Sequence, residues 1–360
     1  MEPCLDILPL DVWHCIAKHF DQFEICRLSR VNKYYYWLSQ QLLPSLIAKH
    51  VLLRPNYYKI NYATLSKWDW QYSVYFSDED EKFGLAAFSS VYEIVLHRWK
   101  KNTDLQQISQ VRSLVLNNCP LIKDVRHLQN LTSLKLEHYD SKNFQGFGNL
   151  RQVYLYECAD LTDVNVLAHI NDVELHCCYH LRDVSPLRHV HRLVISDCYN
   201  VDDVSALGNV HTLKLCRLGN ITDVSMLRTV TSLKLTSLPV VNVNMLGTVK
   251  DLFLNCLRLV SDVSGLGTVQ HLKIYNCHLV NNVSALKTVQ YLDLSGLDNV
   301  VDVSMLGTVH TLELYYMPNI RKVKTLNTVK KLTIVRCRFI GKRTIKSLKK
   351  SVPDFYFDDK

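Results

Sequence analysis

One short motif recurs about every twenty residues through most of this chain. It has the pattern aliphatic-x-x-aliphatic-x-aliphatic, and copies begin at residues 111, 131, 150, 170, 190, 210, 230, 249, 269, 289, 309 and 329, with a degenerate copy, VYEIVL, at 91. A fixed internal period of this length is typical of solenoids, because each unit leaves an apolar face exposed until it stacks on its neighbours. The chain must therefore fold largely as a stack of similar units.

Each copy contains an alternating L-x-L core. A second block follows the strand, and between residues 163 and 306 it reads, in order, DVNVL, DVSPL, DVSAL, DVSML, DVSGL and again DVSML. This pattern resembles the leucine-rich repeat over residues 91–337. The resemblance implies an α/β solenoid of about thirteen 20-residue repeats whose strands form a curved parallel sheet. Because twenty residues must supply a strand, two turns and a return segment, we predict 3₁₀ turns rather than α-helices on the return side.

Composition excludes several classes of protein. With 48% apolar and 21% charged residues, the chain is not predominantly disordered. No uncharged apolar run approaches the roughly 20 residues of a membrane span, and no signal peptide is visible. Twelve cysteines without an export signal indicate reduced thiols. We therefore expect a cytoplasmic or nuclear protein that does not bind membranes.

Two columns of side chains in the repeat, one of aspartates and one of cysteines, contain residue types that can bind metals or act in catalysis, but structural roles explain them better. The aspartates accept backbone N–H groups at the start of the outer turn, as capping side chains do. The cysteines exchange with Leu at the same repeat position, which favours small buried side chains over ligands or nucleophiles. The two columns are Asp163, Asp183, Asp203, Asp223, Asp262 and Asp302, and Cys119, Cys158, Cys178, Cys198, Cys277 and Cys337.

No enzymatic or metal-binding constellation stands outside the repeat. His176, Cys177, Cys178 and His180 form the one local group of metal-ligand types, but side chains on a strand and turn alternate between faces instead of converging. We predict no metal, no cofactor and no catalytic residues. Glycines recur directly after the outer leucine, where we expect the return turn to need positive φ: Gly148, Gly208, Gly247, Gly267 and Gly307.

Residues 5–50 break the period and have helical spacing of their apolar side chains. The segment LDILPLDVWHCIAKHFDQFEICRLSRVNKYYYWLS resembles an F-box, with its leucine-proline start, spaced aliphatics and a Val-Asn-Lys run before aromatics. An F-box ahead of leucine-rich repeats is a familiar order in substrate receptors of SCF ubiquitin ligases, and similar receptors occur in large DNA viruses. The resemblance implies a helical surface that packs on the Skp adaptor, which joins a cullin scaffold, and that contains Leu8, Pro9, Val12, Ile16, Phe20, Leu28 and Val31.

An alternative reading of residues 5–50 is a helical cap that protects the first strand of the solenoid. Residues 51–90 contain ten aromatics between Tyr57 and Phe88, which is too dense for a flexible linker. We predict a packed junction and amino-terminal cap there, with VYF at 74–76 as a capping strand one period before the first repeat.

The residues beside the leucines of each strand face outward, so the exposed columns of the sheet can be read from the sequence. Exposed aromatics on neighbouring strands, with charges of both signs between them, are typical of a protein-binding patch. The expected substrate-binding residues are Tyr154, Tyr156, Phe253, Tyr275, Tyr291 and Tyr315.

The carboxyl end is basic: residues 321–350 hold twelve Lys and Arg and no acid. Such a segment can attract nucleic acid, but solenoid ends must also be polar, and we favour a basic cap over residues 338–360 with a final helix and a strand at FYF, 355–357. Together these features predict a non-enzymatic substrate-recognition subunit of an SCF-type ligase. The alternative is a stand-alone leucine-rich-repeat scaffold with no ubiquitin role.

Overall fold

The protein is described by a computed structural model that covers residues 52–53, 73–76, 85, 91–100, 104–122, 124–125, 127–139 and 148–359. The chain divides into two compact units, Met1–Arg151 and Gln152–Lys360, and each is described by itself. Both are built from short parallel strands, as the leucine-rich-repeat pattern predicts.

The first unit contains five described strands, each hydrogen-bonded in parallel to the next. Residues Ser73–Phe76 pair with the first repeat strand in register, Ser73 opposite Glu93, so the predicted strand at VYF is present, but the short strand Leu52–Leu53 pairs on its other side. Phe76 is fully buried and packs edge-on against Trp99. The strands are β1 (Leu52–Leu53), β2 (Ser73–Phe76), β3 (Glu93–His97), β4 (Ser113–Asn117) and β5 (Ser133–Glu137), and one 3₁₀ turn spans Leu105–Ile108.

The second unit contains eleven parallel strands paired without any register shift, so that Leu213 lies opposite Leu233 and Leu215 opposite Leu235. Equal register stacks identical repeat positions on one another and makes each leucine column continuous. The strands are β6 (Gln152–Tyr156), β7 (Asp172–His176), β8 (Arg192–Ser196), β9 (Thr212–Cys216), β10 (Ser232–Thr236), β11 (Asp251–Asn255), β12 (His271–Tyr275), β13 (Tyr291–Ser295), β14 (Thr311–Tyr315), β15 (Lys331–Val335) and β16 (Asp354–Asp358).

The return segments of the second unit are 3₁₀ turns, as the short period predicts. Their leucines are buried together with the valine that precedes each turn; Val224 and Leu227 are 1% and 0% exposed. The turns are Asn165–Leu167, Ser185–His189, Ser205–Asn209, Ser225–Thr229, Asn244–Thr248, Ser264–Leu266, Ser284–Thr288, Ser304–Thr308 and Lys324–Thr328. The core is therefore a slab between strands and turns, filled by Leu, Val and Ile.

Side-chain hydrogen bonds repeat once per unit and tie the loops together. Each predicted capping aspartate accepts the backbone N–H two residues on, as Asp223 does from Ser225 at 2.8 Å, which confirms the capping role. The same bond forms from Asp163, Asp183, Asp203, Asp262 and Asp302. At the end of the turn a threonine hydroxyl donates to the preceding repeat, as Thr288 does to the carbonyl of Gly267 at 2.5 Å. These bonds satisfy backbone groups that the 3₁₀ turns leave open.

The cysteine column is buried. Cys119, Cys158, Cys178, Cys198, Cys277 and Cys337 are at most 1% exposed, and burial raises the pKa of the Cys337 thiol to about 11. A thiol with a raised pKa is a poor nucleophile and a poor metal ligand. The column therefore serves as packing, as the exchange with leucine predicts.

The expectation that the recurring glycines supply positive φ is wrong. Positive φ occurs instead at the residue directly after each strand from β3 to β15, where Gly296 is the single glycine. The others are Arg98, Asn118, His138, Glu157, Cys177, Asp197, Arg217, Ser237, Cys256, Asn276, Tyr316 and Arg336. At these positions the backbone N–H adds one more hydrogen bond to the next strand; the N–H of Arg217, for example, donates to the carbonyl of Thr236 at 3.0 Å. The bond holds a backbone conformation that L residues adopt at a cost of about 1–2 kcal/mol.

Four of the five recurring glycines lie in close contact with the next turn, whereas an added Cβ at Gly148 would meet nothing within 4 Å. A Cβ added to Gly267, whose φ is −61°, would lie 2.5 Å from the carbonyl oxygen of Ala285 in the next turn. Added Cβ atoms at Gly208, Gly247 and Gly307 would meet the corresponding carbonyl oxygens. These glycines therefore allow a close local approach to the next turn, although other repeats carry Arg188, Arg228 or Lys287 at the same position.

The carboxyl end closes the second unit with an α-helix, α1 (Lys342–Ser351), and then β16, which pairs with β15. The helix buries Leu348 and exposes its lysines. This arrangement confirms the predicted final helix and strand. Among the residues that the structure describes, no helix is both long and apolar enough to cross a bilayer.

We predict that Gly267→Ala lowers the free energy of unfolding by about 1–3 kcal/mol, because the methyl group must displace a backbone carbonyl of the next turn. Gly219→Ala is the matched control, since an added Cβ there meets nothing within 4 Å. Urea denaturation followed by circular dichroism measures both. Equal stability of the two variants would contradict the close-approach role of Gly267.

A candidate protein-binding face on the sheet

The first, third and fifth residues of each strand from β6 to β15 point away from the leucine core. We call this surface the sheet face. Alternation is visible in the burial of β9, where Leu213 and Leu215 are buried and Thr212 and Lys214 are partly exposed. All six predicted substrate-binding residues lie on the sheet face and are partly exposed. Their exposure is consistent with binding, which stays a prediction.

Four of the six residues lie on consecutive strands, and we call them the aromatic cluster: Phe253, Tyr275, Tyr291 and Tyr315. Phe253 and Tyr275 pack edge to face with ring centroids 4.9 Å apart. The Tyr315 hydroxyl donates to Glu313 at 3.2 Å. Burial and the neighbouring carboxylates raise the pKa of Tyr315 to about 12, so its hydroxyl stays protonated at neutral pH. The cluster combines rigid apolar area with hydroxyl groups.

The other two predicted residues, Tyr154 and Tyr156, lie on β6. The Tyr154 ring packs against His176 in a tilted arrangement, with centroids 4.9 Å apart. Strands β7 to β10 separate this pair from the aromatic cluster, which at about 4.8 Å per strand amounts to roughly 24 Å between β6 and β11. The sheet face therefore offers two aromatic areas with a polar area between them.

Asp293 lies at the centre of the aromatic cluster and is only 2% exposed. Its Oδ2 atom accepts the Tyr275 hydroxyl and lies 3.5 Å from the Lys273 ammonium. Within the described part of the chain, no donor reaches its buried Oδ1 atom. Burial raises the pKa of this carboxyl, since desolvation outweighs the Tyr275 and Lys273 contacts. A buried carboxylate that keeps an unsatisfied oxygen is costly to the fold.

Arginines neutralise the carboxylates on the strands nearer β6. The Arg192 guanidinium contacts both Asp172 and Glu174 at 2.6 Å. At the edge of the sheet face, Arg217 donates two bonds of 2.5 Å to Asp197, and these hold the pKa of that carboxyl below its ordinary value. Such forked pairs fix side chains in place more firmly than single ion pairs do.

The residues of metal-ligand type do not converge. His176 lies on the sheet face beside Glu174, Cys178 is buried in the core, and His180 is exposed on the following loop. Across the residues that the structure describes, no three His, Cys, Asp or Glu side chains are arranged to hold a metal ion.

Sequence reasoning did not single out Asp293 or the Asp197–Arg217 pair. Asp293 stands out in the sequence only as an acid directly between strand leucines, beside Glu313 on the next strand. Arg217 follows Asp197 by one repeat, so the spacing of twenty residues between opposite charges could have predicted this ion pair. The predicted adaptor-binding residues lie outside the described residues: Leu8, Pro9, Val12, Ile16, Phe20, Leu28 and Val31.

A family model settles what the amino-terminal segment is. The model of the F-box domain matches residues 5–36. This chain combines an F-box domain with a leucine-rich-repeat solenoid. F-box domains generally bind Skp adaptors, leucine-rich repeats generally bind target proteins, and modules of both kinds are typically non-enzymatic.

Solved structures agree with the repeat fold. The internalin InlF of Listeria monocytogenes is 19% identical, with a TM-score of 0.55 over 76% of this chain and 88% of that chain. The TLR13 chain of a complex with the RNA ssRNA13 is 14% identical, with a TM-score of 0.54 over 95% of this chain and 60% of that chain. At these identities the similarity is one of fold. No curated protein matches the sequence significantly.

We predict that Asp293→Asn stabilises the protein at pH 7. The carboxyl pKa is 3.8 when unperturbed and higher in the folded protein, so the unfolded chain loses this proton more readily. The destabilisation is fully present above the folded pKa and vanishes as the pH falls below 3.8. Urea denaturation at pH 7 and pH 3.5 should show the advantage of the variant only at the higher pH.

Asp298→Asn is the control for this prediction, because the Asp298 side chain is 53% exposed. We expect it to change stability by no more than about 0.5 kcal/mol at pH 7. A destabilised Asp293→Asn protein at pH 7 would show that the carboxylate charge supports the fold instead of opposing it.

Proposed function

We propose that this protein is a substrate-recognition subunit of an SCF-type ubiquitin ligase. The observation that carries the proposal is the F-box match at residues 5–36 ahead of a solenoid whose sheet face bears partly exposed aromatic side chains. The F-box recruits the ligase, and the sheet face of the solenoid holds the target. The chain itself performs no bond chemistry, and ubiquitin transfer belongs to the recruited machinery.

The adaptor side of the proposal rests on the F-box residues. Leu8, Pro9, Val12, Ile16, Phe20, Leu28 and Val31 supply an apolar helical surface for the Skp adaptor, which joins the cullin scaffold. Burial of a helix face in an apolar groove is a general mode of peptide and domain recognition. At roughly 1.5–3 kcal/mol for each large apolar side chain buried, a few such residues suffice for stable association.

The target side rests on the aromatic cluster with its embedded charges. Tyr275 and Tyr291 present large surfaces with little rotamer freedom to lose, which is why tyrosine is enriched among residues that dominate binding energy. Asp293 and Glu313 lie among them on adjacent strands. A cluster of this kind favours a protein target with complementary apolar and polar groups, and Tyr154 and Tyr156 extend the contact area.

We predict that Leu8→Asp combined with Pro9→Asp abolishes co-purification of the Skp adaptor from eukaryotic cells, because charges cannot enter the apolar groove. Leu259→Asp is the matched control: this leucine is 46% exposed on the second unit, so the same change there should leave the adaptor bound. Immunoblotting for the adaptor after tagged purification is the measurement.

The same variants separate the receptor from a stand-alone scaffold with a helical cap. A receptor loses the adaptor and keeps the thermal midpoint of the solenoid, measured by circular dichroism. A cap has no adaptor to lose, and charges within it lower that midpoint. Wild-type protein that purifies without any Skp adaptor would overturn the proposal directly.

For the target side, we predict that Phe253→Ala with Tyr275→Ala weakens target binding at least about a hundredfold, the loss expected for two dominant interface residues. Tyr179→Ala is the control, because Tyr179 is exposed on a loop and stacks on Tyr199 away from the sheet face. Quantitative mass spectrometry should identify proteins that wild type and Tyr179→Ala retain and the double variant loses. Identical retention by all three would place the target elsewhere.

A further inference from the structure

We propose that Lys214 and Lys234 form a binding site for an oxyanion carried on a side chain of the target protein. The inference rests on the proposed function, and it adds the chemistry of the target: an acidic side chain must lie over β9 and β10 while neighbouring residues contact the aromatic cluster. The ligand group is a carboxylate or a phosphate ester, since both present the same kind of oxygen to an ammonium.

The two lysines are direct neighbours on adjacent strands. They are register partners at the third position of β9 and β10, where strands lie about 4.8 Å apart. Other cations on or beside this part of the sheet face have carboxylate partners: Arg192 with Asp172 and Glu174, Arg217 with Asp197, and Lys273 with Asp293. Within the described residues, no carboxylate lies within 4.0 Å of either ammonium of the pair. The sheet face therefore carries two adjacent positive charges without a counter-charge.

Apolar side chains flank the pair along the same column. Val194, which is 3% exposed, precedes Lys214 on β8, and Phe253 follows Lys234 on β11. The Lys234 ammonium lies 4.3 Å from the centre of the Phe253 ring. Partial desolvation, reinforced by the charge of Lys214, lowers the pKa of Lys234. In this less polar surrounding, a bound anion interacts more strongly with the two charges than it would in open solvent.

Hydroxyl side chains lie on the same two strands as the lysine pair. Thr212 and Ser232 occupy the first positions of the two strands, and Thr236 occupies the fifth position of β10. Ammonium and hydroxyl groups are both donors that coordinate carboxylate and phosphate oxygens in proteins.

Charge balance distinguishes the two sources of the oxyanion. A carboxylate neutralises one of the two ammonium charges, whereas a phosphate monoester carries about −1.5 to −2 at pH 7 and neutralises both. A phosphorylated target should therefore bind more tightly than an acidic one. Both sources use the same site.

The test uses the full chain with its lysines labelled as ¹³C-dimethyl-lysine, which keeps the charge, and follows their NMR resonances. The probes are the blocked tripeptides Gly-Glu-Gly, Gly-phosphoserine-Gly and Gly-Ser-Gly at matched ionic strength. Lys→Arg substitutions assign the two resonances. We expect the Lys214 and Lys234 signals to shift saturably with the charged peptides and the pKa of Lys234 to rise toward its ordinary value of 10.5.

Lys214→Gln should weaken peptide binding, observed at Lys234, by about tenfold or more, as removal of one charged partner does. Lys287→Gln is the control, because Lys287 is exposed on an outer turn away from the sheet face. Saturation by the phosphoserine peptide alone assigns the site to a phosphorylated target, and saturation by both charged peptides assigns it to acidic targets in general. Shifts at Lys214 and Lys234 no larger than those at Lys287, or equal shifts with Gly-Ser-Gly, overturn the proposal.

This outcome is independent of the adaptor. The chain can bind the charged peptides and still fail to retain a Skp adaptor, in which case the oxyanion site stands and the ligase role fails. Conversely, if the chain retains the adaptor but its two lysine signals do not respond to the peptides, the ligase role stands and the oxyanion site fails.

Discussion

Continuous burial of leucine and valine columns is the constraint on which the rest of the structure depends. Each repeat contributes the same buried positions, and pairing without register shift places Leu213 on Leu233 and then on Leu252. No repeat can bury these residues alone, so stability is shared between neighbours. Because this requirement uses only alternate strand positions, it leaves the outward positions free to vary. The sheet face can therefore change chemistry without changing the backbone that presents it.

On the sheet face, the outward side chains differ strongly from one strand to the next. The third strand position holds Lys214, Lys234, Phe253, Lys273 and Asp293 in succession, on backbone that is the same in every repeat. Two of these choices oppose folding: Asp293 buries a carboxylate with an unsatisfied oxygen, and the lysine pair holds like charges together. Local cost at positions that do not serve the core is a general mark of sites kept for binding. By this criterion the aromatic cluster and the lysine pair belong to one proposed target-binding surface.

Much of the fold follows from the sequence because it depends on one-dimensional periodicity. The repeat strands, the 3₁₀ turns, the aspartate caps and the buried cysteines are all consequences of a residue's place in the repeat. The glycine prediction failed because it considered the turn alone, whereas Gly267 responds to the carbonyl of Ala285 in the next repeat. The burial of Asp293 was likewise beyond sequence reasoning, since it depends on how the Tyr275, Tyr291 and Tyr315 rings lie across neighbouring strands. The aromatic positions on the sheet face could be predicted from the sequence, whereas the charge interactions between them could not.

The threonine hydrogen bonds between turns have an evolutionary consequence. Thr268, Thr288 and Thr308 each donate to a carbonyl of the repeat before their own, so each of these units brings one donor and offers one acceptor. Duplicating or removing a whole unit restores the same bond at the new junction, whereas a shorter insertion leaves a polar group unsatisfied. A lineage can thus lengthen or shorten this protein in steps of one repeat, changing the reach of its recognition surface by about 4.8 Å each time.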